Sequence, residues 1–304
     1  MNETLAVPSL LATFVLATLQ GLTEFLPVSS SGHLAAAQIV WPSMQYPGGV
    51  LFEVAVHVGT TAAVLVYYRR VIAELLRGVG PARATSPSAG GARSSTMKAP
   101  GAPMTSTSAG DATIEGLTPN QWIGYILLAS VPTAAIGLGF EDVIKEAFEN
   151  LGTIALCFAV TGVVLTTTRF VPHRERSITP AIALAIGVIQ GAAIVPGISR
   201  AGVTISLALL LGIAHRQAVT FSFLLSVPAV LGAAALSALE LRAEPIASGV
   251  LFANIAFATL CAGAIGYVCI GLVHRATEDL WWHRFAWYLW VLAAVLAWLA
   301  LGRS

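Results

Sequence analysis

Long apolar runs alternate with short polar interruptions along this chain, and six of the runs approach or exceed the roughly 20 residues a helix needs to cross a hydrocarbon layer. They are Val50 to Tyr68, Trp122 to Phe140, Leu151 to Phe170, Val219 to Leu239, Ser248 to Val273 and Phe285 to Leu301. Two further apolar regions, Leu5 to Val40 and Ile178 to Ile213, are broken near their middles by proline and polar side chains. The pattern predicts an all-α polytopic membrane protein with six transmembrane helices and two re-entrant broken-helix regions.

The first break, Gln20 to His33, reads Q-G-L-T-E-F-L-P-V-S-S-S-G-H. An ionised side chain near a bilayer centre costs about 2.5 to 3.5 kcal/mol, so such residues normally line a cavity or a site. Gln20 and Glu24 are four apart and share one helical face. Pro27 disfavours helical geometry at Leu26, and the serines after it suit the start of a second helix, predicted from Gly32 to Val40. A helix that begins inside a protein aims unpaired N–H groups and a partial positive charge forward, a natural seat for phosphate. Ser29, Ser30 and Ser31 would also serve as plain helix caps, but Glu24 and His33 beside them favour a site.

The second break, Gln190 to Thr204, reads Q-G-A-A-I-V-P-G-I-S-R-A-G-V-T. Pro196 and Gly197 interrupt the helix, Ser199 can cap the next one, and Arg200 adds a planar fork of donors that suits phosphate. Pairing of Arg200 with Glu24 would also satisfy a purely structural role. Gln20, Gly21, Ser29 and Gly32 recur 170 residues on as Gln190, Gly191, Ser199 and Gly202, and Phe52 to Leu65 parallels Phe221 to Ala234. The chain therefore reads as two related halves. Arginines after the first span (Arg69, Arg70, Arg77, Arg83, Arg93, with Lys98) and acidic residues after the second (Glu141, Asp142, Glu146, Glu149) set alternating crossings. The halves are then inverted repeats whose broken helices meet near the midplane.

Composition agrees: of 304 residues 56% are apolar and 10% charged, against about 25% charged in soluble domains. A net charge of +1 gives no reason to expect nucleic acid. Cys157, Cys261 and Cys269 lie in apolar runs without pairing or zinc spacing and read as small core residues. No basic region precedes the first apolar stretch, so no cleaved signal peptide is expected. The expected organisation is a single membrane domain. Residues 1–77 form the first repeat, 78–118 a disordered cytoplasmic loop rich in Pro, Gly, Ala, Ser and Thr, 119–177 two connecting spans, 178–247 the second repeat, and 248–304 two C-terminal spans.

With both breaks in view, Q-x-x-x-E followed by P-V-S-S-S-G-H, and then P-G-I-S-R-A-G-V-T, resembles the bacterial undecaprenyl-diphosphate phosphatase family of bacitracin-resistance membrane enzymes. Similarity extends through F-E-V-A-V-H-V-G and F-S-F-L-L-S-V-P to nearly the whole chain outside the low-complexity loop. The resemblance implies removal of the terminal phosphate from an isoprenoid diphosphate lipid in the bacterial plasma membrane, with the site on the extracytoplasmic side. Matched by position, Glu24, Ser30, His33 and Arg200 are the implied catalytic residues. Gln20, Ser29, Ser31, Gly197, Ser199 and Thr204 are the implied substrate-binding set. Ser30 is the expected nucleophile, with His33 as its general base, and Glu24 either orients His33 or holds a divalent cation, Mg or Ca. No organic cofactor is expected, and the sequence leaves a homodimer open. Two departures stand out: Gln20 is an amide where many members carry a carboxylate, and Ala201 replaces a serine.

A lipid-phosphate transporter or flippase shares the inverted-repeat plan and is the alternative. An acid-phosphatase type of lipid phosphatase is excluded, because neither Lys98 nor Lys145 fits its basic box and no histidine lies between Arg200 and His215. His57 reads as a buried structural histidine partnered by Glu53. His173, His215, His274 and His283 read as interfacial, and Trp281, Trp282, Trp287 and Tyr288 as an aromatic belt.

Overall fold

The computed structural model describes residues 10–41, 50–78, 116–140, 146–171, 176–240 and 249–303. The first broken region is α1 (Leu10–Thr23) and α2 (Ser30–Val40), joined by a turn through Glu24. Then come α3 (Val50–Tyr67), α4 (Arg69–Arg77), α5 (Pro119–Gly139) and α6 (Leu151–Thr167). The second broken region is α7 (Pro180–Ala192) and α8 (Arg200–Leu210), followed by α9 (His215–Glu240), α10 (Gly249–Glu278) and α11 (Phe285–Leu301). Among the described residues there is no strand, only an isolated bridge between Arg176 and Ile213.

Among the described residues five helical stretches are long and apolar enough to span a membrane, and a sixth is reached by counting α3 with α4, which meet at a bend of 67°. The sequence pattern places Arg69 to Arg77 in a loop between spans. The segment R-R-V-I-A-E-L-L-R instead forms a helix that buries Leu75 and keeps Arg69, Arg70 and Arg77 exposed, the pattern of a helix lying along an interface. Thr118, expected in the disordered loop, caps α5 through a reciprocal pair with Gln121. Residues 79–115 of that loop lie outside the described residues, as do Glu141, Asp142, Lys145 and His173.

Polarity is distributed as lipid solvation demands. Leu260, Val268 and Trp298 are each more than 70% exposed on the outer surface, whereas Gln20, Gln190, Thr204 and Ser206 are buried. So much exposed hydrocarbon would drive association in water. Small residues bring helices into backbone contact, because apolar side chains gain little by leaving lipid tails for one another. A Cβ on Gly59 of α3 would strike the Thr259 carbonyl of α10, and one on Gly187 of α7 the Ala129 carbonyl of α5. Thr133 reinforces the second contact by donating to the Gly187 carbonyl at 2.9 Å. Cys157 and Cys269 are buried and unpaired, as expected of core residues, and Cys261 is also free.

The chain ends of the two broken regions are tied to different neighbours. Arg303, just beyond α11, donates to the Ile39 carbonyl at the end of α2 at 2.7 Å. Beyond α8, Gly212 accepts from the Arg176 amide at 2.8 Å, closing the second region near the start of α9.

Candidate active site

The two breaks touch through their capping serines. Ser29 caps α2 by accepting from the Gly32 amide at 3.3 Å, and the same hydroxyl accepts from the Gly197 amide of the other break at 3.1 Å. Ser199 caps α8 by accepting from the Gly202 amide at 3.1 Å and reaches the Leu26 carbonyl at 3.5 Å. Thr161 of α6 holds the second loop from behind, donating to the Gly197 carbonyl at 3.0 Å and accepting from the Ser199 amide at 3.2 Å. Gly197 has a φ of 95° and Ser29 one of 64°, and the non-glycine case costs of order 1–3 kcal/mol. That strain is what turns Ser29 toward both amides.

Behind this crossing lies Glu24, 9% exposed. Its Oε1 accepts from Arg200 Nη2 at 2.5 Å, so the pair expected from the sequence is present. Its Oε2 accepts from Ser30 Oγ at 2.5 Å and from Gln20 Nε2 at 3.2 Å. His57 Nε2 is 3.7 Å from the same oxygen. Arg200 Nη1 is buried with no hydrogen-bond partner. A buried N–H donor without a partner costs about 1–3 kcal/mol, and more on a charged group, so this atom is poised for an incoming acceptor.

Glu24, Ser30, Arg200 and Gln20 thus form one cluster, with Ser29 and Gly197 as its frame. Ser31 is half-buried, its hydroxyl 3.4 Å from that of Ser29. Ser199 is occupied in capping, and Thr204 is fully buried with its hydroxyl on the Arg200 carbonyl at 2.8 Å, so both act on the backbone that carries Arg200.

His33 is not brought to Ser30. Its Nδ1 lies 2.7 Å from the Ser29 carbonyl oxygen and its Nε2 is 2.6 Å from the Tyr288 hydroxyl. Helical side chains lean back over the preceding turn, which sends the ring to the carbonyl four residues earlier instead of the hydroxyl three residues earlier. The Ser30 hydroxyl bonds Glu24 instead, and both His33 ring nitrogens are engaged by groups other than Glu24.

His57 was missed as a neighbour of the site. Its Nδ1 is satisfied by the Glu53 main-chain carbonyl at 2.8 Å, as the local spacing allows, but its Nε2 faces Glu24. The Glu53 side chain expected as its partner is not the group it bonds. His274 is not merely interfacial: it packs against Tyr67 and its Nε2 is 2.7 Å from the Tyr68 hydroxyl. The aromatic belt also divides, since Trp287 is 68% exposed while Trp282 is buried and donates to Ser206 at 3.1 Å.

The divalent cation expected near Glu24 would find no all-protein cage among the described residues. Mg and Ca take six or more oxygen ligands, yet both carboxylate oxygens are engaged by Arg200, Ser30 and Gln20. Among the described residues no group of three or more His, Cys, Asp or Glu side chains converges on one point. The local positive charge comes from the guanidinium.

Fold and site define a class: a polytopic helical membrane protein that buries a serine, carboxylate and arginine cluster where two broken helices meet. Within that class the chain belongs to the bacitracin resistance protein BacA family, whose pattern matches residues 13–295. Curated relatives described as undecaprenyl-diphosphatase include one from Syntrophotalea carbinolica, 37% identical over 292 residues, covering 94% of this chain and 97% of that protein. Another, from Rubrobacter xylanophilus, is 36% identical over 297 residues, covering 96% of this chain and 98% of that protein.

Proposed function

We propose that the protein hydrolyses undecaprenyl diphosphate to undecaprenyl phosphate and inorganic phosphate, recycling the lipid carrier for cell-wall synthesis and so conferring bacitracin resistance. The observation that carries this reading is Glu24, with Ser30 Oγ on one oxygen and Arg200 on the other, both at 2.5 Å. The carboxylate takes the serine proton as Oγ attacks the terminal phosphorus. The bond from that phosphorus to the bridging oxygen breaks, and the isoprenyl phosphate departs with the bonding electron pair. Glu24 then gives up that proton to solvent, and water cleaves the phosphoserine as Glu24 takes a proton from it and returns it to Ser30 Oγ, so that phosphate leaves and the starting state is restored. Phosphoryl transfer asks chiefly for positioning and charge neutralisation, which the partnerless Nη1 of Arg200 and the N-termini of α2 and α8 are suited to supply. A cation carried on the diphosphate enters as part of the substrate.

The test is phosphate release from undecaprenyl diphosphate by the purified protein in detergent, where vectorial transport cannot register. Ser30→Ala is expected to abolish turnover, and a rapidly quenched wild-type reaction to trap phosphate on Ser30. Substantial activity in Ser30→Ala would replace the serine route with direct attack by water. No release by the folded wild-type protein would favour the transporter reading.

The site's extracytoplasmic access belongs to the same proposal. Arg69, Arg70, Arg77, Arg216 and Arg275 flank the ends of α3, α9 and α10, where Tyr68 meets His274, and such a basic end is normally cytoplasmic. The second break closes near the start of α9, whereas α2 ends on Arg303 at the far end of α11. These ties support loops entering from opposite sides, the inverted-repeat plan. Sealed oriented vesicles given substrate from one side only test it: release is expected with substrate outside.

A further inference from the structure

The phosphatase reading leaves His33 without a role, and the structure gives it a partner that the sequence does not suggest. His33 sits on the first turn of α2, three residues after Ser30, so the two side chains lie about 5–6 Å apart at their Cβ atoms. Its ring is held on three sides. The edge of Phe158 from α6 meets it at a centroid distance of 5.1 Å and 75°. The Tyr288 ring from α11 is parallel to it within 2°, with centroids 5.7 Å apart. The Ser29 carbonyl lies 2.7 Å from Nδ1.

The hydrogen-bond directions follow from the atoms. A carbonyl oxygen only accepts, so Nδ1 carries a proton in either charge state of the ring. The labile position is Nε2, and it faces the Tyr288 hydroxyl at 2.6 Å. A hydroxyl both donates and accepts. It can donate to Nε2 of neutral imidazole and accept from Nε2–H of imidazolium without either ring moving. His33 is 8% exposed, whereas Tyr288 is 48% exposed; the phenol is the accessible end of the pair.

We propose that Tyr288 is the proton donor to the departing isoprenyl phosphate, with His33 behind it as the proton source. The inference rests on the phosphatase reading. A substrate whose terminal phosphate sits at Ser30 and Arg200 and whose isoprenoid chain lies in lipid must run from the buried cluster toward the membrane-facing surface. Its bridging oxygen and proximal phosphate then lie between Ser30 and the lipid, and in this proposal the half-exposed Tyr288 of α11 stands beside them. As the bond between the terminal phosphorus and the bridging oxygen breaks, the Tyr288 hydroxyl gives its proton to that oxygen. The phenol oxygen takes the Nε2 proton of His33 imidazolium, leaving neutral imidazole. After the isoprenyl phosphate leaves, a proton from water restores the pair.

The test combines kinetics with a signature that loss of packing would not reproduce. Tyr288→Phe keeps the ring beside His33 and removes only the hydroxyl. It is expected to lower kcat for undecaprenyl diphosphate by at least about tenfold, with KM changed by less than about twofold, the pattern of a contact made in the transition state. In full-length protein carrying ¹⁵N-labelled histidine, the Nε2 resonance of His33, identified by its loss in His33→Asn, is expected to move in Tyr288→Phe while Nδ1 stays. A thermal melt matching the wild type shows that the fold is retained. Unchanged kcat overturns the role of Tyr288, and so does an unchanged Nε2 resonance, which would mean that the contact is absent. The two readings fail separately. Absence of phosphate release by wild-type protein overturns the phosphatase assignment, whereas wild-type release that Tyr288→Phe leaves undiminished overturns only this one.

Discussion

Arg200 carries two duties on one planar group. Nη2 is spent on Glu24, and Nη1 is buried without a partner. A lysine keeps the charge but not the fork, so Arg200→Lys is expected to hold Glu24 or the phosphate and not both. The expected loss is at least about 100-fold in kcat, the scale of removing one transition-state donor, and near-normal phosphate release would show that charge alone suffices. Glu24→Gln poses the complementary question. It leaves a buried guanidinium unpaired, which typically costs about 3–5 kcal/mol, and removes the acceptor of the Ser30 proton. We expect a lower thermal midpoint together with lost turnover; an undiminished midpoint would mean that the pair is solvated more than its burial suggests. At this scale the sequence was most legible for Glu24 and Arg200, because opposite charges in an apolar chain have few ways to be satisfied other than by each other. It was least legible for His57 and His33, whose local spacings permit several partners and whose choice depends on helices distant in sequence.

Among the elements, the crossing of the two breaks depends on close backbone approach. A Cβ on Gly32 would lie 2.6 Å from both the Cα and the N of Gly197, and 2.7 Å from Phe158. Backbone atoms on the opposing loop cannot step aside as a flexible side chain would. Gly32→Ala is therefore expected to part the loops and abolish phosphate release while the other helix contacts persist. Gly124 in α5 is the control, since nothing lies within 4 Å of its added Cβ. Gly124→Ala should leave activity unchanged and raise stability by up to roughly 1 kcal/mol through helix propensity, which a thermal melt would detect. The capping serines were readable from Pro27, Pro196 and the residues after them, and α2 and α8 begin one residue after Ser29 and Ser199. The helix α4 was not readable as a span extension, because its charged periodicity marks an interfacial helix and the 67° bend before it is a tertiary feature.

For the whole molecule, the spans and the broken regions describe one bundle around one buried polar crossing. Residues between Pro81 and Gly110 are dominated by Pro, Gly, Ala, Ser and Thr and hold no aromatic or branched aliphatic side chain, so their sequence offers few groups for a core. Deleting them should leave phosphate release and thermal midpoint within about twofold and a few degrees of the intact chain. Loss of activity in a well-expressed deletion would assign that segment a working role. The all-α membrane class, the two breaks and their capping serines are legible from the residues alone, because length, hydropathy and proline placement act locally and lipid tolerates few backbone solutions. Which groups share the site depends on long-range packing. Glu24 receives Ser30 from six residues away, Arg200 from 176 and His57 from another helix, and His33 is paired with Tyr288, 255 residues on. Directional hydrogen bonds choose partners by position in space, and those positions are set by which small residues let which helices approach.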